Sequence, residues 1–302
     1  MNKITIIGSI NLDTTLRVSN MPKPGETLHA KEHFTAGGGK GANQAVAAKR
    51  SGADTFFIGA IGKDGAGQMM RELLEYEDID TSAVQLLESQ STGQAFITVD
   101  DSGENSIMIF SGANNAFTPD HVENSKHIIA NSDFLIAQFE SALESTVTAF
   151  KLAKENDVRT ILNPAPARTD IPQELLATTD IIVPNETEAE LITGIKVEDE
   201  HSLKDAADYF HNLGIEAVII TLGSKGAYYD IKDGKSGIIP AFKVAAVDTT
   251  AAGDTFIGAL STVLKADFSN IEDVILYGSK ASSLTVQRYG AQPSIPYKNE
   301  LD

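Results

Sequence analysis

The chain has 302 residues, 42% of them hydrophobic, and a formal net charge of −18. That length supports one large core with a small appendage, and that charge repels phosphate backbones and anionic lipid surfaces, which argues against nucleic-acid and membrane partners. The absence of cysteine excludes disulfides, thiolate metal sites and cysteine nucleophiles.

Taken in chain order, Ile4–Ile7 reads as a first buried strand, too short for the core of a signal peptide. Further short apolar runs at Thr55–Gly59, Phe134–Ala137, Thr160–Leu162, Ile181–Val183 and Ala217–Thr221 read the same way. Helical patterns fall between them at Ala42–Ser51, Gly67–Glu75, Glu144–Glu155, Thr187–Thr193 and Leu203–Leu213. Strand and helix in alternation predict an α/β fold, a doubly wound, mostly parallel sheet flanked by helices, with ligands beyond the carboxyl ends of the strands. Leu12–Arg17 with Thr27–Thr35, and Gly93–Asp100 with Ser106–Phe110, alternate polar and apolar residues instead. They predict a small inserted β-sheet, from about 12–35 and 93–110, with a hairpin turn at Asp101-Ser102-Gly103-Glu104, within a single domain spanning 1–302. Such a sheet near the mouth of the main one suits a lid or a dimer interface. No stretch reaches the ~18–20 apolar residues of a membrane span, so the expected location is cytoplasmic.

The glycine run Gly37-Gly38-Gly39-Lys40-Gly41 lets the backbone approach a ligand. It is not a P-loop, because Phe34 stands where the first glycine belongs and Gly41 follows the lysine in place of Ser or Thr. Composition leaves it open between a site and a plain loop-to-helix junction. The Rossmann fingerprint is missing after the first strand, where the chain reads Gly8-Ser9-Ile10-Asn11. Asn11, Asp13 and Glu140 follow strands and suit either turn chemistry or recognition of sugar hydroxyls. Pro184-Asn185-Glu186-Thr187-Glu188 reads either as a capped helix start or as a site facing nucleotide phosphates through Mg²⁺ and its waters. Thr221-Leu222-Gly223-Ser224-Lys225-Gly226 suits a hairpin turn or a nucleotide-binding loop. The six histidines (His29, His33, His121, His127, His201, His211) have no zinc-helix spacing.

The most informative stretch runs from Val247 to Ala259. A loop of small residues, Thr249-Thr250-Ala251-Ala252-Gly253, ends on Asp254 where an apolar helix begins. Free amides at a helix N-terminus favour an anion, and a carboxylate beside them can take a proton. An anion site next to a base is what moving a phosphoryl group onto an alcohol requires.

Together, Gly38-Gly39-Lys40-Gly41-Ala42-Asn43-Gln44-Ala45 and Asp248-Thr249-Thr250-Ala251-Ala252-Gly253-Asp254-Thr255-Phe256 resemble the two signatures of the ribokinase-like carbohydrate kinase family. Asn163-Pro164-Ala165-Pro166-Ala167-Arg168 and Gly290-Ala291-Gln292-Pro293-Ser294 extend the likeness over nearly the whole chain. The resemblance implies a transferase that uses MgATP to phosphorylate D-ribose at O5. It implies Asp254 as the base and the amides of Ala251, Ala252 and Gly253 as the anion hole. Asn11, Asp13, Gly39, Lys40, Gly41, Ala42, Asn43, Glu140 and Asp254 would hold the sugar. Asn185, Thr221, Leu222, Gly223, Ser224, Lys225, Gly226 and Gly253 would contact ATP, with Glu188 near Mg²⁺. Asp248, Thr250, Thr285, Arg288, Gly290 and Ser294 would bind an activating K⁺, several through carbonyls, and the small sheet would build a homodimer. Other sugar or nucleoside kinases, and a catalytically silent sugar-binding regulator, are the alternatives. Two departures from the family stand out. Ala251 replaces the first glycine of the anion-hole loop, which predicts a negative φ there. The short tail after Ser294 predicts a curtailed last helix.

Overall fold

In the computed structural model, which describes residues 1–301, the chain builds a nine-stranded and a four-stranded sheet. Strand β1 (Lys3–Ile7) is central to the large sheet and pairs in parallel with β4 (Asp54–Gly62) and β8 (Phe134–Ala137). Between β1 and β4 lie β2 (Asn11–Arg17), β3 (Glu32–Gly38) and helix α1 (Lys40–Arg50). After β4 come α2 (Gly65–Tyr76), β5 (Asp80–Leu87), β6 (Gly93–Val99) and β7 (Asn105–Phe110), then three short helices, α3 (Ala113–Ala116), α4 (Pro119–Asn124) and α5 (Lys126–Ile129). Beyond β8 follow α6 (Leu143–Glu155), β9 (Arg159–Leu162), α7 (Gln173–Ala177), β10 (Ile181–Ile182), α8 (Glu186–Thr193), α9 (Glu200–Asn212) and β11 (Ala217–Thr221). The meander β12 (Ala227–Ile231) and β13 (Ser236–Ile239), then α10 (Ala252–Val263) and α11 (Ile271–Thr285), complete the order.

The large sheet runs β13-β12-β11-β10-β9-β8-β1-β4-β5, parallel except for the antiparallel pairs at β12 and β13. Its two faces carry separate cores, as the period-two geometry of a strand requires. From β1, Ile4 and Ile6 pack with α1, α10 and α11, while Ile7 packs with α6 and α9 on the other side. Every strand and helix expected from the apolar runs is present within a few residues. Two strands of this sheet, β5 and β13, escaped that reading, while β12 is the second arm of the hairpin expected at Gly223–Gly226. β5 is a half-polar edge strand, and β13 extends the hairpin by pairing with β12. Helix α11 escaped it too. Among the described residues after Ser294, a single helical turn forms at Lys298–Glu300. No described helix is long and apolar enough to cross a membrane.

The small sheet has the order β3-β2-β6-β7. Its second strand begins at Glu32 rather than Thr27, because Glu32 pairs with Arg17 and the register then carries β3 on to Gly38, opposite Asn11. The hairpin between β6 and β7 turns at Asp101–Gly103, with Asp100 accepting from the N–H groups of Ser102 and Glu104. Asn11 and Asp13 therefore sit at the root of this sheet, and Lys40 follows the end of β3.

Candidate active site

Helix α10 is buried from Asp254 to Thr262. It lies against α1 because Gly258 has no side chain: a Cβ there would come within 2.5 Å of the Gln44 carbonyl. That approach puts Asp254, one turn earlier, against the first turn of α1. Its carboxylate accepts from Asn43 Nδ2 and Gln44 Nε2, each at 3.0 Å. Gln44 is itself held, accepting from Gln138 Nε2 at 2.6 Å and donating to Asn163 Oδ1 at 3.1 Å. Burial pushes the Asp254 carboxyl above its ordinary pKa, against the opposing pull of Lys40, Asn43 and Gln44.

Lys40 follows Gly39, whose φ of 86° suits glycine. Its N–H donates to Glu140 Oε2 at 3.0 Å, and Ser9 Oγ donates to the same oxygen at 2.7 Å. Burial works to lower the Lys40 pKa, but the negative charges of Asp254, Glu140 and Glu188 outweigh it, and the net shift is upward. Asp13 faces the same cluster, and its carboxyl is pushed up to about 7, by burial first and then by Glu140 and Asp254. Gly41 and Ala42 are buried, their N–H groups donating to the Ser9 hydroxyl and carbonyl. They hold α1 against the end of β1. A pocket of about 370 Å³ opens beside this cluster, lined among others by Asn11, Glu140, Ile109, Asn115, Phe139 and Arg168. The last four lay outside the sequence reading as site residues. Ile109 comes from β7, so the small sheet contributes a wall.

A second pocket, of about 450 Å³, opens at the α10 N-terminus, where Ala252 and Gly253 line it. Thr221, Gly223, Ser224, Gly226 and Gly253 line it, and so do the 241–246 segment and three serines of α11, Ser279, Ser282 and Ser283, which the sequence reading missed. Leu222 is buried in the core and the Lys225 ammonium pairs with Glu186 at 3.1 Å, so the loop meets this pocket through its small residues. Asn185 joins Thr221 by an isolated bridge. The capped-helix reading of Asn185 and Glu188 is realised in full. Asn185 Oδ1 accepts from the Glu188 N–H, and Glu188 accepts from the Asn185 N–H and Nδ2. Glu188 is buried, which raises its pKa against the opposing Asn185 and Lys40.

Ala251 corrects an expectation. Its φ is +59° and ψ 11°, the left-handed region, not the negative φ an alanine favours. The turn that accepts the Ala252 N–H on Thr249 and returns the Ala251 carbonyl to the Thr255 N–H, at 2.8 Å, demands it. The amides of Gly253 and Asp254 thus stand ahead of the first helical hydrogen bond. The Cβ in this conformation costs about 1–2 kcal/mol. Ala251→Gly is expected to raise the melting temperature, the relief of about 1 kcal/mol being partly offset by glycine's greater freedom in the unfolded chain. The branched Ala251→Val is expected to lower it, and thermal unfolding reads both.

The 248–250 turn is held by Asp248, which accepts from Thr250 N–H and Oγ1 and, across the chain, from the Gly290 N–H at 2.9 Å. These hydrogen bonds hold its pKa below the usual value despite burial. Thr285 and Ser294 are buried, with their hydroxyls bonded to Thr255 and Ala291. The Arg288 guanidinium pairs with Glu300, so Arg288 can offer a cation only its carbonyl. Among the described residues, no group of three or more His, Asp or Glu side chains is arranged to hold a metal ion.

The model of the pfkB family of carbohydrate kinases matches residues 1–298. The chain belongs to the pfkB family. Among curated members, it is 51% identical over 302 residues to the ribokinase of Staphylococcus aureus, covering 100% of this chain and 99% of that one. A deoxyribokinase of Salmonella typhi is 33% identical, with 97% and 95% covered. The solved structure of Arabidopsis thaliana ribokinase complexed with ribose and ATP superposes with a TM-score of 0.93 at 33% identity, covering 99% and 97% of the two chains.

Proposed function

We propose that this kinase transfers the γ-phosphoryl group of ATP to O5 of D-ribose, giving ribose 5-phosphate and ADP. One observation carries the reading: Asp254 stands at the N-terminus of α10 beside Gly253, which lines the pocket at Gly223, and feels the charge of Glu140, which lines the pocket at Asn11. Asp254 takes the proton of the O5 hydroxyl as the oxygen bonds to the γ-phosphorus and the bond to the ADP oxygen breaks. The amides of Ala251, Ala252 and Gly253 stabilise the charge of the transferring group. Asn11, Asp13, Gly39, Lys40, Asn43 and Glu140 hold and orient the sugar, with Gly41 and Ala42 fixing α1 behind them through Ser9. Asn185, the Thr221–Gly226 loop and Gly253 hold the nucleotide.

Both Glu188 oxygens already accept hydrogen bonds from Asn185, which suits contact with Mg²⁺ through water rather than direct ligation. Bound magnesium would neutralise phosphate charge. The oxygen set at Asp248, Thr250, Thr285, Arg288, Gly290 and Ser294, mostly carbonyls, fits a hard monovalent cation such as K⁺ beside the anion hole. Ile107, Met108, Ile109 and Phe110 are all more than half exposed along β7. This apolar strip supports a homodimer through the small sheet, which would also cover the sugar as a lid on a single 1–302 domain. A cytoplasmic location fits the acidic chain.

The greater identity to a ribokinase than to a deoxyribokinase favours ribose. Comparing kcat/KM for ribose, 2-deoxyribose, fructose and a nucleoside tests this. Ribose is expected to lead the panel, and a nucleoside in first place would overturn the assignment.

A further inference from the structure

The chain passes between the two sheets near Ile10–Asn11, at Ser91–Gly93 and at Ser111–Gly112, and these crossings meet at one buried side chain, Asn114. It is 2% exposed and lies in α3, just past the third crossing. Its Oδ1 accepts from the Ile10 N–H at 3.0 Å, and its Nδ2 donates to the Ile10 carbonyl at 3.2 Å. A backbone N–H can only donate and a backbone carbonyl can only accept, so these two contacts fix which end of the Asn114 amide is which. The second Nδ2 proton then points at Asn11, 2.8 Å away, where only an acceptor fits. The Asn11 amide is thereby oriented as well. Its Oδ1 is engaged by Asn114, and its Nδ2 is the end left for a ligand. The second crossing makes room for the pair: a Cβ on Gly93 would lie 2.3 Å from both Asn11 Oδ1 and Asn114 Nδ2. The neighbouring Ala113 N–H donates to the Ser91 carbonyl at 2.8 Å, tying the second and third crossings together.

We infer that Asn114 is a positioning residue for sugar binding, which by locking the Asn11 amide makes Asn11 a hydrogen-bond donor to a substrate hydroxyl oxygen. The carboxylates of Asp13 and Glu140 nearby are acceptors only when ionised, so a hydroxyl bound between them and Asn11 accepts from one and donates to another. Without Asn114 the Asn11 amide turns freely and presents either end. The inference rests on the proposed sugar contact of Asn11 and is separable from it by a double-mutant cycle on ribose KM.

Asn11→Ala and Asn114→Ala, singly and together, are compared with the parent. Asn114→Ala is expected to raise ribose KM about tenfold, the loss of roughly one charge-free hydrogen bond. It should leave the KM for ATP unchanged, and add less than about twofold in the Asn11→Ala background. An equal rise in both backgrounds, or no rise in the parent, overturns the positioning role. No change in ribose KM for Asn11→Ala itself removes the sugar contact and the inference with it. Asn114→Asp, which keeps the shape and loses both Nδ2 donors, runs the same cycle if the alanine variant does not fold.

Discussion

Asp254→Asn is expected to lower kcat by about 10²–10⁴-fold, the usual contribution of a general base, while the KM values for ribose and ATP change little. The substitution keeps the shape of a side chain that sits 7% exposed among Asn43, Gln44 and Thr255. Its new amide protons would face the donors of Asn43 and Gln44. Asn43 Oδ1 has no hydrogen-bond partner, so the Asn43 amide can turn over and present that oxygen. The site therefore has a low-cost way to absorb the change, and the effect should fall on chemistry rather than on binding or folding. The pH profile of the parent supplies a second reading. The base must be ionised to act, and burial raises the Asp254 pKa. The acid limb of kcat/KM should therefore lie above the ordinary carboxylate range, and the residual activity of Asp254→Asn should lack it. A variant turning over at near-parent rates would remove Asp254 as the base.

Asp13→Asn is expected to make the protein more stable and a poorer binder of sugar. The folded-state pKa of Asp13 is about 7, against an ordinary value of 3.8. The native state thus holds this proton more tightly than the unfolded chain. The resulting stabilisation is complete below the ordinary value and is lost as pH rises from there through 7. At pH 8 the ionised carboxylate, beside Glu140 and Asp254, opposes folding. Because the carboxyl reaches solvent, only part of the full shift is expected as stability, on the order of 1–2 kcal/mol. Thermal unfolding at pH 8 should show the variant melting higher, with the gap closing toward pH 4. Loss of hydrogen bonds to a charged acceptor should at the same time raise ribose KM by roughly 10–100-fold, about 1.5–3 kcal/mol. A variant that is less stable at pH 8 would contradict the electrostatic strain assigned to this cluster.

What could be read from the sequence follows from how local each feature is. The α/β alternation, the small sheet and the Asp254 loop are patterns within a few consecutive residues, and the parallel sheet and the α10 N-terminus appear where those patterns place them. Edge strand β5 has no such local signature, because half its residues are polar, whereas helix α11 does carry one, Ile271, Val274, Ile275 and Gly278 recurring at helical spacing, which the reading passed over. The network around the base was not legible. Gln138, Asn163 and Asp254 meet at Gln44 from 94, 119 and 210 residues away, and nothing in a window of sequence marks such partners. Asn114 is another case, its partners Ile10 and Asn11 lying 104 and 103 residues away. The backbone of Ala251 was misread because residue type predicts a preference, and the turn that aims the α10 amides overrides it. The pair Asn185 and Glu188 shows the reverse, a capping box legible in its spacing and present in full.

The central claim, that ribose meets the γ-phosphate of ATP at Asp254, is tested most directly by ADP release from MgATP with and without D-ribose, in the presence and absence of K⁺. Ribose-dependent ADP formation, faster with K⁺, is the predicted result. Calorimetric binding of ribose with no ADP released under either condition would contradict it and leave the chain a sugar-binding member of its family.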